Sequence, residues 1–139
     1  MDQPVSGTFL TEDPYPFQKL LGFRMLDWAQ DRARFELPLG EHLQNRYGIP
    51  HGGVYAALLD TVMGYSGSYT GDAENRRKAM TLSLTTNFLS RPAGSVIVAE
   101  GWRVGGGQKT FFAEGRITDA DGTIVATGSG AFRYTGAGK

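Results

Sequence analysis

At 139 residues the chain is long enough for one domain with a moderate core, and short enough that association with a second copy would help bury apolar surface. Lys plus Arg and Asp plus Glu both number 14, so a formal net charge of zero offers neither a nucleic-acid stripe nor an address for an anionic membrane; with no cysteine and two histidines, disulfides, thiolate catalysis and a histidine-rich zinc site are set aside. No apolar run approaches the roughly 18 residues of a membrane span, and the opening MDQPVSGTFLTEDPYP lacks a basic flank followed by an apolar core, so the expectation is a cytoplasmic protein with no metal, nucleic-acid or membrane partner.

In chain order, residues 1–13 read as a loose arm and 136–139 as a flexible end, with 14–135 as a single domain. The segment 14–21, PYPFQKLL, predicts a short helix with Phe17, Leu20 and Leu21 packing on one side and Gly22 ending it. A first strand follows, in which Ala33, Phe35, Leu37 and Leu39 alternate against Arg32, Arg34 and Glu36, as in a half-buried strand. His42 reads as a polar loop residue.

The stretch from Asn45 to Tyr69, NRYGIPHGGVYAALLDTVMGYSGSY, is where sequence and chemistry converge. Pro50 suits the approach to a helix, two glycines let the chain bend into its first turn, and Ala56, Ala57, Leu58 and Leu59 favour helix, which predicts one from about Gly52 to Tyr69. Tyr55, Leu58, Val62, Tyr65 and Tyr69 recur at spacings of three and four and make one bulky face. Gly53, Ala56, Ala57, Asp60, Gly64 and Gly67 make the other, nearly bare of side chains, with Asp60 its one functional group. A carboxylate held there can act as general base or nucleophile. Free N–H groups at Gly52 and Gly53 would stabilise negative charge growing on a carbonyl oxygen. Residues 52 and 60 lie about 12 Å apart along the axis at roughly 1.5 Å per residue, too far to serve one small group. Two antiparallel copies would solve this, with Asp60 of one facing Gly52 of the other. His51 either shapes the turn and supports Asn45 or serves as a cap.

Beyond the helix, TGDAENRRKA is a charged loop in which Arg76, Arg77 and Lys78 either meet phosphates or are simply solvated. A strand from about Ala79 to Leu89 should bury Met80, Leu82, Leu84, Thr86 and Phe88. Its polar face, with Thr81, Ser83, Thr85 and Asn87, would be wet or a subunit contact. The runs SVIVAEGWRV, KTFFAEGRITD and TIVATGSGAFRY, joined by short turns including Asp121-Gly122, predict an antiparallel meander and bring the strands to five. Gly105-Gly106-Gly107 lacks the spacing and context of a nucleotide-binding loop.

The conjunction of Asn45, Gly48, His51-Gly52-Gly53 and Asp60, six residues from Asn to His and nine from His to Asp, followed by TLSLTTNFLSRPAG, resembles the hotdog-fold acyl-CoA thioesterases of the phenylacetate-degradation type over about residues 15 to 135. The resemblance implies an α+β hotdog fold, a curved antiparallel β-sheet wrapped around a long central α-helix. Gly115, Gly128 and Gly130 would then let the helix approach the sheet. It also implies hydrolysis of an acyl-coenzyme A thioester at sites shared by a dimer, itself paired into a tetramer. Gly52 would polarise the carbonyl, Asn45 would assist from the preceding loop, Asp60 would activate water or attack, and Thr81 would help hold the water. Coenzyme A would be part of the substrate rather than a retained cofactor.

Leu43, Tyr47, Tyr65 and Phe88 suit an acyl pocket for an aryl or medium chain, with Gly53 beside it, and Arg91 and Lys109, both next to sharp turns, are candidates for the coenzyme A phosphates. Two rival functions share these residues. A dehydratase or hydratase needs an acid and a base on adjacent carbons, with only His51 available near Asp60, and a nonenzymatic acyl-CoA-binding protein could keep the same packing without turnover.

Overall fold

The computed structural model describes residues 12–135. The expected arm and tail lie outside these residues except for Glu12 and Asp13, which belong to no helix or strand. Helix α1 (Pro16–Leu21) begins on a proline and ends at Gly22, whose φ of 98° is left-handed backbone that glycine adopts freely. Its packing bears out the expectation for Leu21, which lies partly buried against the core, and corrects the rest. Phe17 and Leu20 face outward at 50% and 69% exposure, whereas Gln18 is buried and donates from Nε2 to the Phe23 carbonyl at 3.1 Å.

Among the described residues the strands number six, not five. Strands β1 (Arg24–Ala29) and β2 (Arg32–Pro38) form a hairpin whose turn places Asp31 at φ 65°, and β1 has too irregular a burial pattern for period-two reading to detect. After a 3-10 turn at Glu41–Leu43 comes helix α2 (Gly52–Ser66), followed by β3 (Lys78–Phe88), β4 (Val96–Gly106), β5 (Thr110–Thr118) and β6 (Ile124–Thr135). All pair antiparallel in the order β1-β2-β4-β5-β6-β3. This curved sheet wraps α2: the hotdog fold.

What seats the helix is a row of glycines across the sheet. Gly101 on β4 pairs with Gly115 on β5, which pairs with Gly128 on β6. A Cβ at Gly101 would lie 2.6 Å from the Val62 backbone; at Gly115 and Gly128 it would meet Leu59 at 3.3 Å and Met63 at 3.3 and 3.5 Å. Gly115 and Gly128 thus do what was expected of them. Gly130 does not, since its nearest neighbours are Phe132 and the Ser83 carbonyl. Leu58, Leu59, Val62 and Met63 are fully buried against Phe35, Leu37, Ile97, Ile117 and Val125. The helix ends three residues earlier than predicted, and Gly67 belongs to the packed side: a Cβ there would sit 2.2 Å from the Phe111 ring.

Strand β3 departs most from its predicted pattern. Among the described residues it pairs only with β6, and Met80, Leu82 and Phe88 are 61%, 58% and 56% exposed rather than buried. A bulge between Thr81 and Ser83 shifts the register. Before it, Ala79 and Thr81 face the helix; after it, Leu84 does. One extra residue therefore brings a hydroxyl and an apolar side chain of opposite parity to the same face.

Candidate functional site

The amino end of α2 is built from the loop that precedes it. Asn45 Oδ1 accepts from the N–H groups of Tyr47 at 2.8 Å and Ile49 at 3.4 Å, and the Gly48 N–H donates to the Asn45 carbonyl at 3.0 Å, which closes the turn with Gly48 at φ 78°. This spends the carboxamide oxygen on structure and leaves its NH2 without a partner among the described residues. His51 is the N-cap, its Nδ1 accepting from the Gly53 N–H at 2.8 Å, so a neutral ring carries its proton on Nε2. The expectation of two free N–H groups is thereby corrected: Gly53 is capped, and Gly52 N–H alone has no partner among the described residues. Asn45, Arg46, Tyr47, His51 and Gly52 line one cavity of about 370 Å³.

Asp60 lies two turns on, in a different cavity of about 330 Å³ with Tyr15, Thr61, Gly64, Tyr65, Thr81 and Phe132 among its walls. Thr81 Oγ1 donates to Asp60 Oδ1 at 2.7 Å. The bulge that turns Thr81 towards α2 is thus what orients this carboxylate. Beside it, the hydroxyls of Tyr15 and Thr61 share a hydrogen bond of 2.9 Å, and Tyr65 donates to Glu12 Oε1 at 2.8 Å. Burial pushes both tyrosine hydroxyls above their ordinary range, for Tyr15 against the opposing bond from Thr61 and for Tyr65 with Glu12 adding to it. Both stay protonated near neutral pH, as hydrogen-bonding walls rather than bases.

The sequence-predicted site residues therefore fall into two groups within one chain. Asn45, His51, Gly52 and Tyr47 stand together at the helix start, with Phe88 close by: a Cβ at Gly52 would be 3.5 Å from its ring, which stacks on Tyr55. Asp60, Thr81 and Tyr65 stand together at mid-helix. Leu43 joins neither group, being 2% exposed in the core. Arg91 lines a third cavity with Gln44, Gly48 and Pro50, near the helix start, while the Lys109 carbonyl accepts the Tyr134 N–H at 2.9 Å and Tyr134 OH donates to the Gly67 carbonyl at the helix end. The two cations sit at opposite ends of α2 and do not come together in one chain.

Sequence reasoning passed over Tyr15, whose proline-flanked position reads as a helix start, and Asp119. That carboxylate accepts from the N–H groups of Ala93, Asp121 and Thr123, ties the Arg91 loop to the β5–β6 hairpin, and is held below the usual carboxylate range chiefly by the Ala93 bond. Its signal was local: an acid two residues before Asp121-Gly122. Among the described residues no helix is long and apolar enough to cross a membrane, and no cluster of three or more His, Cys, Asp or Glu side chains could hold a metal ion.

A family model described as "Thioesterase superfamily" matches residues 47–126. A Saccharolobus solfataricus protein provisionally named an esterase is 27% identical over 114 residues, 82% of this chain and 79% of its own. A Bacillus halodurans protein solved with CoA is 28% identical, with a TM-score of 0.67 over 73% of this chain and 66% of that one. The Escherichia coli PaaI protein, from the phenylacetic acid degradation operon, has a TM-score of 0.76 at 20% identity, over 87% of this chain and 85% of that one, a likeness of fold.

Proposed function

The chain belongs to the thioesterase superfamily, and from that premise we propose that it hydrolyses an acyl-coenzyme A thioester to the free acid and coenzyme A at sites shared between two antiparallel copies. Asp60, steadied by Thr81, delivers an oxygen to the carbonyl carbon, either its own or that of a water it deprotonates. Gly52 N–H and the Asn45 carboxamide of the other copy take the charge that develops on the carbonyl oxygen, where losing one donor would cost on the order of 3 kcal/mol. Collapse of the adduct breaks the C–S bond and the thiolate leaves to take up a proton; if Asp60 attacked directly, water then hydrolyses the acyl-carboxylate anhydride.

The observation that carries this reading is the 2.7 Å hydrogen bond from Thr81 to Asp60, set in a cavity beside a helix face of small residues. Sharing between copies is supported by the separation of the two groups: Asp60 and Gly52 line different cavities and lie about 12 Å apart along α2. The edge of β3, unpaired among the described residues and carrying exposed apolar side chains, supports association too, since such an edge left open invites pairing with another chain. The tetramer rests on the resemblance alone. Coenzyme A as the carrier is supported by the Bacillus halodurans relative solved with CoA. A phenylacetate-type preference for an aryl or medium acyl group draws on the resemblance and on Tyr47, Tyr65 and Phe88 beside the two cavities.

Release of free thiol from a panel of acyl-CoAs tests the reading. The protein should release it, and Asp60→Asn should remain folded by circular dichroism while losing roughly a hundredfold or more in kcat, the range for removing a positioned base. A soluble variant with parental kcat would sink the assignment. Hydration or dehydration without thiol release would favour the rival enzyme, and tight binding without either would favour a carrier.

A further inference from the structure

The cavity beside Asp60 has two unlike ends. Asp60 and Thr81 stand at one, and Ser68, Arg77 and Lys78 line the other. Two rulers give its length. Six residues of helix separate Asp60 from Ser66, about 9 Å of axis, before the chain turns to Ser68. Along the strand, Lys78 precedes Thr81 by three residues, about 10 Å at roughly 3.3 Å per residue, and Arg77 lies one residue before the strand begins.

The charges at the far end do not balance. Arg24, Arg32, Arg34, Arg76 and Arg116 each pair with an acid; Arg77 and Lys78, like Lys19, Arg46, Arg91, Arg103, Lys109 and Arg133, have no acid partner among the described residues, and what sets these two apart is that they line the cavity that holds Asp60. The acids lining the cavity are Asp60, at the opposite end, and Glu12, which is already engaged by Arg76 at 2.7 Å and by the Tyr65 hydroxyl. Arg77 is nonetheless held in place. Its guanidinium carbon lies 3.6 Å over the Tyr134 ring, and Tyr134 is itself tethered to the Gly67 carbonyl. A positive charge near the carbonyl end of α2 suits the helix dipole, which accounts for its tolerance there but not for its opening onto a cavity that holds the reactive carboxylate. A planar guanidinium fixed on an aromatic shelf is pre-organised to take a carboxylate or phosphate edge-on.

We propose that this end of the cavity is a site for an anionic group of the substrate, and that Arg77 is a specificity-determining residue reading negative charge on the order of 10 Å from the reacting carbonyl. The inference rests on the hydrolase reading for one thing, the position of the carbonyl at Asp60. Two parts of an acyl-CoA thioester carry such a charge: a carboxylate at the far end of the acyl group, and a phosphate of coenzyme A.

The test compares suberoyl with octanoyl thioesters, each on coenzyme A and on N-acetylcysteamine, which has no phosphate. If Arg77 reads an acyl carboxylate, suberoyl should exceed octanoyl in kcat/KM by about tenfold or more on both carriers, as for a hydrogen bond to a charged group. Arg77→Gln should then bring that ratio towards one, with Arg77→Lys keeping part of it. If it reads a phosphate, Arg77→Gln should instead raise KM for both coenzyme A thioesters and narrow their advantage over the N-acetylcysteamine esters. Acyl and carrier ratios identical in the wild type and Arg77→Gln would overturn the proposal. Calorimetric binding of suberate and of coenzyme A to the same proteins gives a readout free of turnover. A wild type that hydrolyses nothing, yet loses either ligand on Arg77→Gln, would remove the hydrolase reading and keep the anion site; unchanged binding would remove the site.

Discussion

On one side of α2, Leu59, Val62 and Met63 lie against the glycine row of Gly101, Gly115 and Gly128, so close that a single added carbon at Gly101 would run into helix backbone. On the other side, Ala56, Ala57, Asp60 and Gly64 are only partly covered and Gly53 is exposed. Both faces rely on small residues, for opposite reasons. The sheet is stripped of side chains so that a bulky helix face can be buried, and, on the proposed reading, the helix is stripped so that something from outside can reach Asp60. The same economy thus marks packing in one place and access in the other, and substitutions on the two faces should separate stability from chemistry.

The sharpest way to break this contrast is to ask what approaches the open face. Asp60→Asn and Gly52→Pro chains should each be inactive alone; proline suits the first position of a helix and removes only the N–H proposed to hold the oxyanion. In mixed dimers one of the two sites pairs an intact Asp60 with an intact Gly52. Activity should therefore reappear from two dead parents, to at most about half the parental value per mixed dimer. Circular dichroism and sizing must show that the chains are folded and exchange. Folded mixed dimers that stay dead beside an active wild-type control, or a fully active monomer, would mean that the open face does not meet a second copy.

The buried face is tested by Leu59→Ala. Leu59 is fully buried between Gly115 and Gly128, so its loss should cost about 2–5 kcal/mol of stability by denaturant titration, from lost transfer energy and the cavity left behind. The folded fraction should keep the parental kcat. If kcat fell while stability held, the two faces would not be independent, and Leu59 would have to be counted among the residues that position its neighbour Asp60.

How much of this could be read in advance varied with the range of the interaction involved. The helix around Asp60, the meander of β4 to β6 and the turn at Asp121-Gly122 are set by local periodicity and turn chemistry, and their residues announced them. Gly115 and Gly128 were legible once the fold was supposed. Gly101 was not, because its reason lies in the backbone of Val62, far away in sequence. The pattern on β3 failed at a bulge, which period-two reading cannot register, and at an edge, where apolar alternation implies burial that a single chain does not supply. The resemblance pointed to Thr81 as a residue that would help hold the water; that one inserted residue turns it to the helix side, where it bonds Asp60, was not legible.

That bulge supplies the smallest of the expected effects. Thr81→Ala removes the donor to Asp60 Oδ1 but leaves the carboxylate, its backbone and the cavity in place. Asp60 can still orient a water, so kcat should fall by about tenfold, about 1.4 kcal/mol, rather than by the hundredfold or more expected of Asp60→Asn. Thr81→Ser, which restores the hydroxyl without the methyl, should recover most of the loss. KM should change little in either variant, because the bond acts on the attacking group and not on the bound thioester. Were Thr81→Ala as inactive as Asp60→Asn, the hydroxyl would be acting on the reacting atoms themselves. Were it fully active, the 2.7 Å bond would be a feature of packing, and Asp60 would be held by the helix alone.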